Sequence, residues 1–307
     1  MTTRTSAPAI GTALFMGLAI VAALPAAAAD ITVAHAQGET TVAENPQTVI
    51  TFDLATLDTL EALGVEIAGV PSTNMPEYLG KYAGEDYLKV GSLFEPDYEA
   101  VAAAAPDLII VAGRSSAAYP ELAKIAPTVD LSNDWARFED SIKENSRTLG
   151  EIFGKEAAVE SLIETLDASI AEAREAADGA GTGLVVLTSA GEVTAYGPGS
   201  RFGWIHETLG VAPAVAEVAA GSHGDAISFE FILEANPDWL FVIDRDAATG
   251  AGGAAEQVLD NELVAQTTAW KDGQVLYIDP VRSYVVNGGL PAFTRLVDEV
   301  AGALRSE

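Results

Sequence analysis

The chain contains no cysteine in its 307 residues. This absence excludes disulfides, thiolate metal sites and cysteine nucleophiles, and it leaves no cysteine to carry a lipid anchor. Histidine is scarce, with three in the whole chain, and 16 basic residues face 45 acidic ones. The formal net charge of −29 is spread along the chain, which argues against nucleic acid or an anionic membrane surface as a partner.

One apolar run lies near the start of the chain, at residues 9–24, after Arg4 and before the small residues 27–29. A basic start, a short apolar run and a small-residue end are typical of a cleavable secretory signal, and the run is short for a membrane span. We therefore predict a signal peptide at residues 1–29. The mature protein is expected in the periplasm as a monomer, without a lipid anchor or direct membrane insertion.

A nine-residue phrase occurs twice, at residues 106–114 and again at 237–245, with an offset of 131 at every position. The residues 97–99 and 228–230 are related by the same offset. Each copy predicts a capped helix start, a short helix, a Pro-Asp pair, a buried strand and an arginine just past the strand end. Two copies of one α/β unit indicate two similar lobes.

The predicted fold class is α/β, with two similar Rossmann-like lobes, mostly parallel sheets and a ligand cleft between the lobes. The alternation of strands and helices stops after residue 133, and a stripe of apolar residues then recurs at helical spacing. Its members are Val159, Leu162, Ile163, Leu166 and Ile170. We predict an N-terminal lobe at residues 30–150, a connecting helix within 151–178 and a C-terminal lobe at 179–307. A helical connection predicts limited movement between the lobes.

Three arginines follow predicted strands or turns. Arg114 and Arg245 lie past the two repeated strands, where open α/β sheets bind ligands, and should face each other across the cleft. Arg201 lies in a glycine-rich loop, which should expose it beside a helix start. The alternative is that each arginine pairs with a nearby carboxylate, such as Asp244 or Asp246. A convergent cluster instead suits a polyanionic or carboxylate-rich ligand.

The glycine-rich loop, residues 196–203, also suggests a phosphate cradle at a helix start. It lacks the Gly-Lys-Ser/Thr ending of a P-loop and the spacing of a dinucleotide fingerprint, so a nucleotide site is disfavoured. Among the histidines, His223 lies in a glycine-flanked loop that would leave its imidazole accessible. Tyr284 follows a predicted strand in a loop, and phenolate and imidazole are both suitable ligands for iron. Packing or surface roles remain the alternatives for both residues.

The chain resembles the helical-backbone ferric-siderophore-binding proteins, which are periplasmic receptors of ATP-driven importers, and specifically their catecholate-binding branch. The resemblance covers residues 31–305. The segments that carry it are residues 90–96, 106–114, 125–128, 196–203, 228–230, 237–245 and 287–290.

The resemblance implies a role for each candidate residue. Arg114, Arg201 and Arg245 match arginines that contact catecholate oxygens. His223 and Tyr284 match a pair that completes the coordination of Fe(III) held by a tetradentate siderophore. The iron would therefore arrive as cargo within the ligand, and no intrinsic cofactor is expected.

The resemblance also implies that Glu99 and Glu230 dock onto an inner-membrane ABC permease, which acts with its ATPase. The implied function is capture of a ferric siderophore and its delivery for iron uptake. Alternatives are a hydroxamate siderophore, haem or a cobalamin in the same fold, and, with less support, an enzyme acting on a polyanionic ligand. We expect no enzymatic activity. Arg282 departs from the family pattern and is expected to add a fourth positive charge near the site.

Overall fold

The computed structural model describes residues 1–3, 30–218 and 223–305. The predicted signal peptide falls almost wholly on residues 4–29, which lie outside the described residues. No helix within the described part of the chain combines the length and apolar character that a membrane crossing requires.

The first half of the chain forms a hairpin, a sheet and the helices around it. Its strands are β1 Asp30–His35, β2 Gly38–Ala43, β3 Val49–Thr51, β4 Gly69–Val70, β5 Leu88–Lys89, β6 Leu108–Val111 and β7 Thr128–Asp130. Its helices are α1 Leu54–Ala62, α2 Tyr98–Ala104, α3 Tyr119–Leu122, α4 Phe138–Phe153 and α5 Glu156–Ala177. Three 3-10 turns lie between them, at Glu77–Ala83, Gly113–Ala118 and Trp135–Arg137.

The second half forms another sheet with shorter helices. Its strands are β8 Thr182–Ser189, β9 Glu192–Tyr196, β10 Ala212–Pro213, β11 Asp225–Ile227, β12 Trp239–Asp244 and β13 Val275–Ile278. Its helices are α6 Trp204–Glu207, α7 Phe229–Ala235, α8 Arg245–Thr249, α9 Ala255–Leu259, α10 Thr268–Asp272 and α11 Leu290–Leu304. A 3-10 turn at Val264–Gln266 and a π-helical turn at Val281–Val286 complete it.

The two sheets differ in strand direction. The first has the order β5-β4-β3-β6-β7 and is parallel throughout. The second has the order β11-β9-β8-β12-β13, and only its β8-β12-β13 part, with β10 beside β8, is parallel. Ala190 and Gly191 form a two-residue turn with positive φ, which can join β8 to β9 only as an antiparallel hairpin. The predicted fold class is confirmed, with this hairpin as the addition.

The sequence repeat corresponds to a structural repeat. Helices α2 and α7 share the offset of 131 residues at both ends, and each is capped by the side chain of the residue before it, Asp97 or Ser228. After each helix the Pro-Asp carboxylate binds the neighbouring strand: Asp107 accepts from the backbone N–H of Thr48, and Asp238 from that of Thr182. The two units therefore attach to their sheets through the same contact.

Helix α5 lies inside the range predicted for the connecting helix, residues 151–178. Of the predicted stripe, Leu162 is half-buried and the other four residues are buried. They join one apolar cluster with α4, α11 and the second sheet. Helix α4 was not recognised as a separate element, and it runs across the proposed boundary at residue 150. The division into domains stays a prediction.

The amino end of α11 is capped by side chains from α1. The Asp58 carboxylate accepts from the backbone N–H of Ala292 at 2.9 Å, and the Thr59 hydroxyl accepts from that of Leu290 at 3.1 Å. These N–H groups have no partner inside their own helix, so the caps satisfy donors that would otherwise be buried unpaired. A Cβ on Gly289 would overlap the Asp58 carboxylate. The two halves of the molecule are thus joined by close polar contacts between α1 and α11.

Asp58 gives the protein a specific pH dependence of stability. Burial raises its pKa to about 6, although the bonds from Ala292 and Tyr78 and the charge of Arg282 oppose this. An acid with a raised native pKa makes the fold less stable as pH rises from its unfolded pKa to its native pKa. The Asp58→Asn variant keeps the acceptor oxygen but does not titrate. As the pH rises from 4 to 7, we expect its free energy of unfolding to increase by on the order of 2 kcal/mol relative to that of wild type.

Urea unfolding at several pH values measures this difference. A difference between Asp58→Asn and wild type that stays constant from pH 4 to 7, or that shrinks, would contradict the expectation.

Candidate functional site

A cavity of about 640 Å³ opens between the carboxyl ends of the two sheets. From the first half of the chain it is lined by Asp53, Phe94, Arg114, Asn133 and Trp135, among others. From the second half it is lined by Tyr196, Arg201, His223, Arg245, Tyr284 and Asn287, among others. All five ligand-binding residues predicted from the sequence therefore lie in one cleft, of a volume typical for a small-molecule ligand.

The three arginines converge on one residue, Tyr284. Arg114 donates from Nη2 to the Tyr284 carbonyl at 2.7 Å and from Nη1 to the Val285 carbonyl at 3.2 Å. Arg201 also donates to the Tyr284 carbonyl, and Arg245 donates from Nε to the Tyr284 hydroxyl at 2.9 Å. Their guanidinium carbons lie 4.5 to 5.8 Å from the centre of the Tyr284 ring. Three positive charges thus surround one phenol.

These arginines make no ion pair with a carboxylate within the described ranges, 30–218 and 223–305. The alternative that Asp244 or Asp246 forms an ion pair with one of them is wrong, although the charge of Asp246 acts on Arg245. Asp244 instead accepts from the backbone N–H groups of Ala247, Ala254 and Ala255, and Asp246 accepts from that of Ala190. Both carboxylates are bound by backbone N–H groups, and neither forms an ion pair with a cleft arginine.

Arg201 is less accessible than the sequence suggested. Burial, followed by the charge of Arg114, lowers the pKa of its guanidinium to about 10, so it stays protonated at neutral pH. Its Nε is buried without a hydrogen-bond partner in the part of the chain that the structure describes. The glycine-rich loop therefore tucks Arg201 inward, against the rings of Phe202 and Tyr284, and does not expose it.

Nothing in the geometry of the same loop favours a phosphate cradle. Two of its N–H groups are used within the loop, since Ser200 and Gly203 donate to the carbonyls of Gly197 and Ser200. The helix that follows, α6, has four residues. The loop therefore serves to position Arg201.

Tyr284 lies in the π-helical turn and not in an open loop. Burial would raise the pKa of its phenol, but the hydrogen bond from Arg245 and the charges of all three arginines hold the pKa below its usual value. Arg282, in the same turn, points away from the cleft to pair with Asp279 and lies over the ring of Tyr78. The expected fourth positive charge in the site is therefore absent from the cleft lining.

His223 is exposed at the cleft wall beside β9. Gly224 next to it has a φ of +62°, and a Cβ there would overlap the Ala195 carbonyl. Only glycine allows this close approach, which brings His223 alongside Tyr196 in the cleft lining. The residues 219–222 that precede it lie outside the described residues.

Several lining residues were missed by the sequence reasoning. Phe94 is 65% exposed, the largest exposure of any hydrophobic side chain in the described chain after Met1. Trp135 and Tyr196 add aromatic surface, and Asn287 adds a buried amide. Asp53 is the acidic residue of the lining, and its carboxylate caps α1 by accepting from the Thr56 N–H. Phe94, Tyr196 and Asn287 lie in segments that carry the resemblance, but no role in the site was assigned to them. The fold brings them together with Asp53 and Trp135.

Glu99 and Glu230 lie outside the cleft. Both are exposed, and each occupies the first turn of its helix, α2 or α7. The structural repeat places them at equivalent positions, one in each half of the molecule. Bonds from its own backbone N–H and from Ser228 lower the pKa of Glu230, so it is charged at neutral pH.

The chain is similar in sequence and structure to known binding proteins. The family model described as "Periplasmic binding protein" matches residues 49–281. The petrobactin-binding protein YclQ of Bacillus subtilis is 42% identical, over 89% of this chain and 88% of its own length, and its crystal structure superposes with a TM-score of 0.88. The ferric-anguibactin-binding protein FatB of Vibrio anguillarum is 34% identical, over 90% and 88%.

A solved structure from Vibrio cholerae, the periplasmic catecholate-siderophore-binding protein VctP, is 35% identical. It has a TM-score of 0.85 and covers 89% of this chain and 100% of its own.

Proposed function

Because this chain belongs to the periplasmic binding protein family, we propose that it captures a ferric catecholate siderophore and delivers it to an ABC permease for iron uptake. The resemblance to ferric-siderophore-binding proteins is confirmed by the family match and by relatives named for petrobactin, anguibactin and catecholate siderophores. What these relatives bind supports the class of ligand proposed here.

The proposal rests on three arginines that line the cleft without an ion-pair partner among the described residues. Arg114, Arg201 and Arg245 face the cavity without a carboxylate partner, in a protein whose net charge is −29. The net negative charge of the protein repels an anion at long range. The attraction that binds an anion must therefore come from a locally positive cavity. A ferric catecholate is anionic and rich in oxygen acceptors. A neutral or cationic complex would not require three arginines that lack an ion-pair partner.

Within this proposal, His223 and Tyr284 are the candidate iron ligands. The arginines lower the pKa of the Tyr284 phenol below its usual value, which makes it easier to form the phenolate, a hard oxygen donor suited to Fe(III). A tetradentate siderophore leaves two coordination positions of the iron open, and one imidazole and one phenolate would fill them. A hexadentate siderophore would need neither residue.

The test is titration of the mature protein with a ferric bis-catecholate complex, following tryptophan fluorescence and the visible charge-transfer band. We expect submicromolar binding and a shift of the band. Tyr284→Phe and His223→Ala should each lose the shift, because each removes one donor to the metal. Tyr196→Phe is the matched control, since burial raises the pKa of that phenol and the shift should persist.

Binding with no band shift in the wild-type protein would retain the arginine cleft and reject both iron ligands. No binding by a folded protein would reject the catecholate.

The permease contacts proposed here follow from the resemblance, and the expected lack of a lipid anchor follows from the absence of cysteine. Glu99 and Glu230 would contact an inner-membrane permease that works with an ATPase. The protein would act in the periplasm as a monomer, without a lipid anchor, an intrinsic cofactor or catalytic turnover of its ligand.

A further inference from the structure

The side-chain amide of Asn287 is buried in the wall of the cleft without a hydrogen-bond partner. The residue is 7% exposed and lines the cavity. Its Nδ2 has no acceptor among the residues that the structure describes. Unpaired buried donors are uncommon in native structures, and each one calls for an explanation.

The backbone does not require an asparagine at this position. Asn287 has a φ of +36°, in the left-handed region that glycine and asparagine both adopt, and its N–H donates to the Arg282 carbonyl at 2.8 Å. The two residues that follow are glycines in tight passages, where a Cβ would overlap Asn133 and Asp58. A third glycine would satisfy the backbone at 287 equally well. The backbone conformation therefore does not explain why residue 287 carries a side-chain amide.

Another left-handed asparagine in the chain shows what a structural amide does. Asn236 has a φ of +40° and ends α7. Its Nδ2 donates to the Thr268 hydroxyl at 3.1 Å, and its Oδ1 accepts from the Thr268 N–H at 2.9 Å. Asn236 thus uses both ends of its amide within the protein. For Asn287 no such bonds to the described residues exist.

A second unpaired donor lies in the same cavity wall. Three buried side-chain donors lack a partner in the described ranges. Arg201 Nε and Asn287 Nδ2 belong to cleft-lining residues, and Trp239 Nε1 belongs to an apolar core cluster. The coincidence of the first two in one cavity indicates an acceptor-rich occupant.

We propose that Asn287 is a specificity-determining contact, whose amide donates a hydrogen bond to an oxygen of the bound ferric chelate. This inference rests on the proposed function, since it takes the ligand to be an oxygen-rich anion. The two kinds of donor differ in what they select. An arginine attracts any anion, whereas a neutral amide is satisfied only by a ligand that places an oxygen at one point in the wall.

The experiment compares Asn287→Gly, Asn287→Asp and the matched control Asn236→Gly with wild type. The probe is the ferric bis-catecholate complex, titrated by tryptophan fluorescence, with urea unfolding of each ligand-free variant. We expect Asn287→Gly to weaken binding about ten-fold without loss of stability. Asn287→Asp removes the donor and adds a negative charge, so it should weaken binding about a hundred-fold.

Asn236→Gly should show the opposite behaviour: affinity within about two-fold of wild type and a lower stability, because its bonds to Thr268 are lost.

Unchanged affinity of Asn287→Gly, in a protein whose wild type binds the probe, would overturn this inference and leave the proposed function standing. An equal loss of affinity in Asn236→Gly would also overturn it, because introducing a glycine outside the cleft would then weaken binding as much as removing the Asn287 amide. Failure of the wild-type protein to bind the probe would remove the proposed function and this inference together.

Discussion

Replacing Arg114, Arg201 and Arg245 together by glutamine should weaken binding of a ferric bis-catecholate by at least about a thousand-fold. A hydrogen bond to a charged group contributes about 1.5–3 kcal/mol, and a thousand-fold loss corresponds to about 4.1 kcal/mol. Three such contacts contribute more than that figure even at the lower bound, when their effects add. Single substitutions should each weaken binding measurably, and calorimetry or fluorescence titration gives the affinities.

The control for the single substitutions is Arg295→Gln, which likewise removes one positive charge, from an exposed helix position outside the cleft. Its affinity should match wild type. A triple variant that binds as tightly as wild type would rule out an anionic ligand.

The free energy of unfolding of the ligand-free Arg201→Gln variant distinguishes a loss of ligand binding from a loss of folding. The pKa of Arg201 is lowered by burial, which means that the folded state disfavours its charge. We therefore expect that Arg201→Gln does not lower the free energy of unfolding of the ligand-free protein, while it lowers affinity. Arg201 would then favour ligand binding without stabilising the ligand-free protein.

Reversing the charges of Glu99 and Glu230 together to arginine should abolish iron uptake while ligand binding stays unchanged. Both glutamates are exposed and lie outside the cavity, so the cleft keeps its geometry. Opposed like charges at an interface cost several kcal/mol, and two symmetric contacts would be lost at once. Accumulation of labelled iron, in cells that depend on this importer, should fall at least about ten-fold.

The matched control reverses Glu95 and Glu234, which are also exposed, one in each half of the molecule. It changes the net charge equally and should leave uptake intact. Equal loss in both double variants would assign the effect to overall charge and not to docking.

The strand-end arginines were accessible to sequence reasoning because the repeat marks them. Arg114 and Arg245 each follow a buried strand, and parallel strands present their carboxyl ends at one edge. The repeat also identified α2 and α7 and their caps, because short local patterns determine a helix start. Elements of this kind depend on neighbours in the sequence.

Other features depend on contacts between distant segments and could not be predicted. The exposure of Arg201 was misjudged because a glycine-rich loop suggests an open turn, whereas this loop folds on itself and packs its arginine against Tyr284. The π-helical turn around Tyr284 has no sequence signal that was recognised. The unpaired amide of Asn287 and the caps from α1 appear only once residues more than 100 positions apart are in contact.

The capping of α11 by Asp58 and Thr59 also has a consequence for the order in which the molecule is assembled. The donors of this contact lie more than 230 residues beyond its acceptors, at 231 and 234 residues' separation. A ribosome has therefore completed every arginine of the cleft, and Tyr284, before it makes the helix that fastens α1 to the second half. Until then a growing chain lacks the polar contacts that join α1 to the second half, so the two halves of the cleft are not held together by them.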